Sequence, residues 1–231
     1  MEMQAMTVEQ VAQEQRSFMF KVYGWMTLAL GVTALVASYV AETPALWKVI
    51  LGNQFLFFGL IIGELVLVGG LAGWASKMSG AMATIVFLVY SALNGLTLSV
   101  IFLAFTAGSL GITFFVTAGT FGITCAVGYF TKTDLSSVGG FALMSLIGLI
   151  LASVVNWWMQ STMLYWITTY AGILIFVCLT AYDAQKIRRM NIIGNAGTDE
   201  DRKEAIMGAL ALYLDFINLF LLLLRIFGRR R

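Results

Sequence analysis

The stretch Leu212–Leu224, LYLDFINLFLLLL, sets one aspartate, Asp215, into an otherwise apolar run. Upstream, Cys178–Ile187, CLTAYDAQKI, does the same with Asp183. A carboxylate costs several kcal/mol at the centre of a bilayer, so an intramembrane aspartate marks a functional site by default. Two of them on consecutive apolar segments point to a shared site.

The rest of the chain agrees with a membrane setting. Of 231 residues, 60% are hydrophobic and 11% charged, far below the roughly 25% charged content of soluble domains. A helical span takes about 20 residues, so the seven apolar runs place about 140 positions in the membrane and leave no room for a soluble domain. With 23 glycines and one proline, the runs read as closely packed helices; a β-barrel would alternate apolar and polar residues along its strands. The expected fold is an all-α membrane protein, a seven-transmembrane helical bundle.

The net charge of +2 implies no nucleic-acid partner, because the basic residues cluster near the membrane ends. Cys125 and Cys178 fall within apolar spans, where a thiol behaves as a small hydrophobe, and no structural disulfide is expected. Histidine is absent. Any proton sensing then falls to carboxylates.

In chain order, residues 1–21 form a cytoplasmic polar tail with Glu2, Glu9, Glu14 and Arg16 and no cleavable signal. The seven-span domain is 22–227, and 228–231 is a basic tail. The spans run from about Val22 to Val40, Phe55 to Trp74 with Glu64, Ala81 to Phe105, Leu110 to Phe130, Val138 to Trp158, Leu164 to Tyr182 or a turn beyond, and Ala205 to Phe227. Pro44 closes the first. The third carries Tyr90, Asn94 and Thr97 at i, i+4 and i+7, a polar stripe that should look inward. TKTDLSS is a short polar turn, and Lys186–Glu204 is the longest and most charged loop.

Basic residues set orientation. A cytoplasmic amino terminus places Arg16, Lys21, Lys77, Lys132, Lys186, Arg188, Arg189, Arg202 and Lys203 on one face, nine against the five at Lys48, Arg225, Arg229, Arg230 and Arg231. The terminal arginines conflict with that arrangement, since a full seventh span carries them outside. A broken or re-entrant last segment, with both termini inside, is the alternative.

Three carboxylates lie deep: Glu64, Asp183 and Asp215. No lysine or arginine is deep enough to pair with them, and desolvation then favours retaining a proton on at least some. Around Asp215, the positions i−7, i−4 and i+3 are Gly208, Ala211 and Asn218, a stripe of small and polar residues that must face protein or water. At 1.5 Å per residue Asp215 lies about 15 Å deep and Asp183 about 9 Å from the same face, within reach of each other. Two carboxylates in contact titrate as one pair. When ionised they are hard oxygen ligands suited to Ca²⁺, with Asn218, carbonyls or water completing the shell. The plainer reading is that each aspartate only hydrogen-bonds a neighbouring helix, for example at Tyr90 or Asn94; it applies equally to Glu64, whose helical neighbours are all apolar.

Smaller features have ordinary readings. Gly59 and Gly63, and Gly69 and Gly73, match small-xxx-small helix contacts. Trp157, Trp158 and Trp166 suit an interfacial aromatic belt. DEDRKE, 199–204, reads as a solvated helix start with Thr198 as N-cap and Asp201 at N3.

Three segments, YSALNGLTLSVIF at Tyr90–Phe102, AYDAQKI at Ala181–Ile187 and LYLDFINLF at Leu212–Phe220, resemble the Bax inhibitor-1 (transmembrane Bax inhibitor motif) family in its bacterial branch. The resemblance covers essentially the whole chain. It implies six spans around a central seventh, and a pH-sensitive calcium leak of the bacterial inner membrane gated by Asp183 and Asp215. Span two has Glu64 and no arginine, so the basic latch of some relatives does not carry over.

The leading expectation is a non-enzymatic, proton-regulated cation conductor with no cofactor, its partners being the bilayer, protons and transported Ca²⁺. A non-conducting modulator of other membrane proteins, such as a membrane protease, is the alternative. An intramembrane aspartyl protease is disfavoured, because LYL precedes Asp215 in place of glycine-x-glycine and no proline-alanine-leucine motif follows.

Overall fold

The computed structural model describes residues 7–74 and 77–231. Among these, eight α-helices follow in order: α1 Val8–Glu42, α2 Pro44–Gly52, α3 Gln54–Trp74, α4 Gly80–Ala104, α5 Ala107–Phe130, α6 Ser136–Met159, α7 Thr162–Met190 and α8 Asp199–Phe227. All except α2 are long and apolar enough to cross a membrane. The protein is an all-α, multi-pass membrane protein with seven such helices, and α8 has the most buried apolar window, 61%.

The helices depart from the expected spans at their ends. α1 begins at Val8 and not near Val22 because Thr7 and Gln10 form a reciprocal capping box, Gln10 N donating to Thr7 Oγ1 at 3.3 Å and Thr7 N to Gln10 Oε1 at 2.8 Å. The first six residues of the expected tail, with Glu2, lie outside the described residues. Pro44 occupies the first turn of the short α2, where its missing N–H costs nothing. α7 continues to Met190 and α8 starts at Asp199, so the expected long loop shrinks to residues 191–198. α8 is one unbroken helix of 29 residues.

The chain packs as two compact units. The first joins the described residues up to Leu103 with Ile187–Tyr213, and the second joins Ala104–Lys186 with Leu214–Arg231. In the first, DEDRKE is less solvated than expected. Asp201 is only 3% exposed; it pairs with Lys21 at 2.5 Å and accepts from Gly197 N at 2.8 Å, while its own amide donates to the Thr198 cap at 3.2 Å. Both oxygens of Asp199 accept from Gly80 N, at 2.8 and 2.9 Å. In the second unit the basic tail is fastened by its backbone: Thr106 N donates to Arg229 O and Arg231 N to Ala104 O, both at 3.0 Å.

The glycines that let helices approach are not the expected ones. A Cβ at Gly59, Gly63, Gly69 or Gly73 would meet nothing within 4 Å, since the apolar window of α3 is only 6% buried. The close approaches occur at Gly128, against the Ala181 carbonyl, and at Gly139, against the Tyr182 ring. These two admit α5 and α6 to the stretch of α7 that carries Asp183.

Candidate functional site

In the second unit α7 and α8 run antiparallel with Gly172 against Leu222, where a Cβ would come within 2.9 Å of Cδ1. Further along the same pair, Thr180 lies beside Asp215. Asp183 follows Thr180 by about one helical turn and lies close enough for its charge to act on Asp215. The two aspartates are thus brought together.

Their surroundings differ. Asp215 is 5% exposed and its Oδ2 is buried without a hydrogen-bond partner. Thr180, fully buried, directs its hydroxyl to Phe176 O at 2.7 Å. The ring of Phe216, next to Asp215, packs between Phe114 at 5.7 Å and Phe121 at 5.4 Å, fixing this part of α8 against α5. Asp183 is half-buried, and Lys186 is the cation that acts on it. The Lys186 ammonium lies 5.8 Å from the Tyr182 ring centre. Two residues beyond Asp183, Gln185 Oε1 accepts from Leu135 N at 2.9 Å and Nε2 donates to Thr133 O at 2.8 Å. That clamp ties the α5–α6 turn to α7 beside the carboxylate.

The remaining expected residues have partners of their own. Asn218 turns its amide nitrogen back to Leu214 O at 2.8 Å. Glu64, Tyr90 and Asn94 form a cluster in the first unit: Glu64 accepts from Thr97 Oγ1 at 2.9 Å and from Asn94 Nδ2 at 3.3 Å. Tyr90 is a hydrogen-bonding neighbour of Asn94, whose Oδ1 is buried without a partner. So the polar stripe of α4 serves Glu64, and Glu64 is not surrounded by apolar groups alone. Tyr213 closes the cluster, its hydroxyl 2.7 Å from Thr33 Oγ1 and its ring edge-on to Phe87 and Tyr90 at 5.8 and 5.9 Å.

No group of three or more His, Cys, Asp or Glu that suits a metal occurs among the described residues. A Ca²⁺ ion takes six to eight oxygens, more than two carboxylates supply.

The family model for the inhibitor of apoptosis-promoting Bax1 matches residues 15–231. The chain belongs to the Bax inhibitor-1 family. Among its relatives, the inner membrane protein YbhL of Escherichia coli is 51% identical over 94% of this chain and 93% of its own length. A protein of Borreliella burgdorferi is 41% identical over 94% of each. A membrane protein of Streptococcus pyogenes is 37% identical over 92% of each.

In this member of the family, sequence reading passed over Thr180, Gln185 and Tyr213. Each had a local signal. Thr180 precedes Asp183 by one helical turn, Gln185 lies within AYDAQKI, and Tyr213 sits on the same helix as Asp215, inside LYLDFINLF.

Proposed function

We propose that the protein is a proton-regulated cation leak of the bacterial inner membrane, passing Ca²⁺, with its amino terminus cytoplasmic and Asp183 and Asp215 as the gate. The observation that carries this reading is the unpartnered, buried Oδ2 of Asp215 within reach of the Asp183 charge. A carboxylate kept for structure has its buried oxygens satisfied. Two that share a proton form a closed contact, and removing that proton sets like charges together and drives them apart. The separated carboxylates then offer hard oxygens to a divalent ion. The membrane assignment rests on the seven apolar helices and on the relative described as an inner membrane protein. Ca²⁺ entry into liposomes holding the purified protein, followed across pH, tests the proposal.

A second reading is a non-conducting modulator of other membrane proteins. It is favoured by α3, whose apolar window has few fully buried residues and whose Phe55, Phe58, Ile62, Leu65 and Val66 are exposed to lipid or to another membrane protein. Parent protein that passes no ion at any pH supports this reading over the first.

A further inference from the structure

At the opposite end of the α7–α8 pair from the aspartates, a cavity of about 420 Å³ opens where α6 ends, α7 begins and α8 makes its last turn. That volume is in the range of small-ligand sites. Among the described residues, Arg225 is the one charged residue in its lining, and no carboxylate lines it. The guanidinium carbon lies 5.2 Å from the Tyr165 ring centre, and Nη1 donates to Thr169 Oγ1 at 3.4 Å. A cation braced by an aromatic face and a hydroxyl, with no carboxylate in the cavity before it, is a receptor for an anion.

The rim is pre-organised. Gln160 holds a left-handed conformation, φ 51°, fixed by its amide bonding Asn156 O at 2.8 Å and its side chain bonding Trp157 O at 2.9 Å. Non-glycine residues adopt that conformation only where their surroundings enforce it. Ser161 N donates to Asn156 Oδ1 at 3.0 Å, and Ser161 Oγ accepts from Leu164 N at 3.3 Å. This cap leaves the amides of Thr162 and Met163 ahead of the first helical hydrogen bond. Thr162 lines the cavity together with Arg225, so this helix start adds partial positive charge there.

We propose that this cavity binds a phosphoryl anion, with Arg225 supplying the charge and the α7 start the supporting amides. The planar guanidinium fork matches phosphate oxygens. Trp157, in the lining, and its neighbour Trp158 are 70% and 76% exposed, as aromatic residues are at headgroup depth. A phospholipid headgroup and soluble phosphate present the same chemistry here.

The test uses full-length protein in dodecylmaltoside micelles, which carry no phosphate, titrated with short-chain phosphatidylglycerol or with inorganic phosphate while tryptophan fluorescence is followed. At least one probe should give a saturable change, weakened about tenfold or more in Arg225→Gln through loss of the charged hydrogen bonds. Saturation by the lipid alone assigns a headgroup; equal saturation by phosphate assigns the free anion. Thr162→Asp leaves Arg225 in its place and adds an acid where helix starts accept one, so it keeps the fold and should weaken binding comparably. The proposal is overturned if neither probe saturates, or if folded Thr162→Asp and Arg225→Gln titrate like the parent. Should Arg225→Gln not fold, Thr162→Asp decides alone.

Discussion

Gln185 reaches from α7 to the amide of Leu135 at 2.9 Å, just past Asp183. Its nitrogen bonds Thr133 O as well, so one side chain holds the α5–α6 turn at two points. Gln185→Ala removes two hydrogen bonds at a buried position and should lower stability by about 1–3 kcal/mol, read as a lower unfolding temperature in detergent. An unchanged unfolding temperature would show that the turn is held by other contacts.

Gly139 and Gly59 should respond in opposite ways to the same change. Gly139→Ala drives a methyl group into the Tyr182 ring, and overpacking of this kind costs about 1–3 kcal/mol. Gly59→Ala meets nothing within 4 Å and should be neutral or gain about 0.5–1 kcal/mol through helix propensity. Thermal unfolding of the two variants side by side checks the assignment of the close approach to α6, and equal behaviour would remove it.

The Glu64 cluster predicts a graded series. Glu64→Leu leaves the Asn94 amide without its acceptor and the Thr97 hydroxyl with Asn94 O alone, a loss of about 1–3 kcal/mol. Glu64→Gln keeps one acceptor oxygen and should lose less. Tyr213→Phe removes the hydroxyl contact with Thr33 but keeps both edge-on ring contacts, for a loss of about 1 kcal/mol. Denaturation in one detergent ranks the three; Glu64→Gln as damaging as Glu64→Leu would mean that the carboxylate's charge, and not its hydrogen bonding, matters there.

Much of the fold was legible because a span needs a long apolar run, and each of the seven runs forms a helix. Helix ends were less so. The Thr7 and Gln10 capping box was present in the sequence, yet its polar residues resembled those of a tail. The α4 stripe was legible as an inward face, but periodicity shows which residues share a face and not which neighbour meets it. Within the first unit Tyr90 and Asn94 sit with Glu64, a neighbour that their spacing does not name. In the same way glycine spacing pointed to α3, while Gly128 and Gly139, which have no such spacing, make the close contacts. What brings Asp183 near Asp215 is the register of α7 against α8, set by side-chain fit at Gly172 and Leu222, which no single segment carries.

The gate assignment has its most direct test in Ca²⁺ entry into proteoliposomes, measured across pH for the parent protein, Asp183→Asn and Asp215→Asn. Asparagine cannot ionise, so either variant removes the second deprotonation that separates the pair. The account predicts flux that rises with pH in the parent and a flattened pH profile in both variants, with the fold intact. Parent-like flux and pH profile in both variants would contradict it.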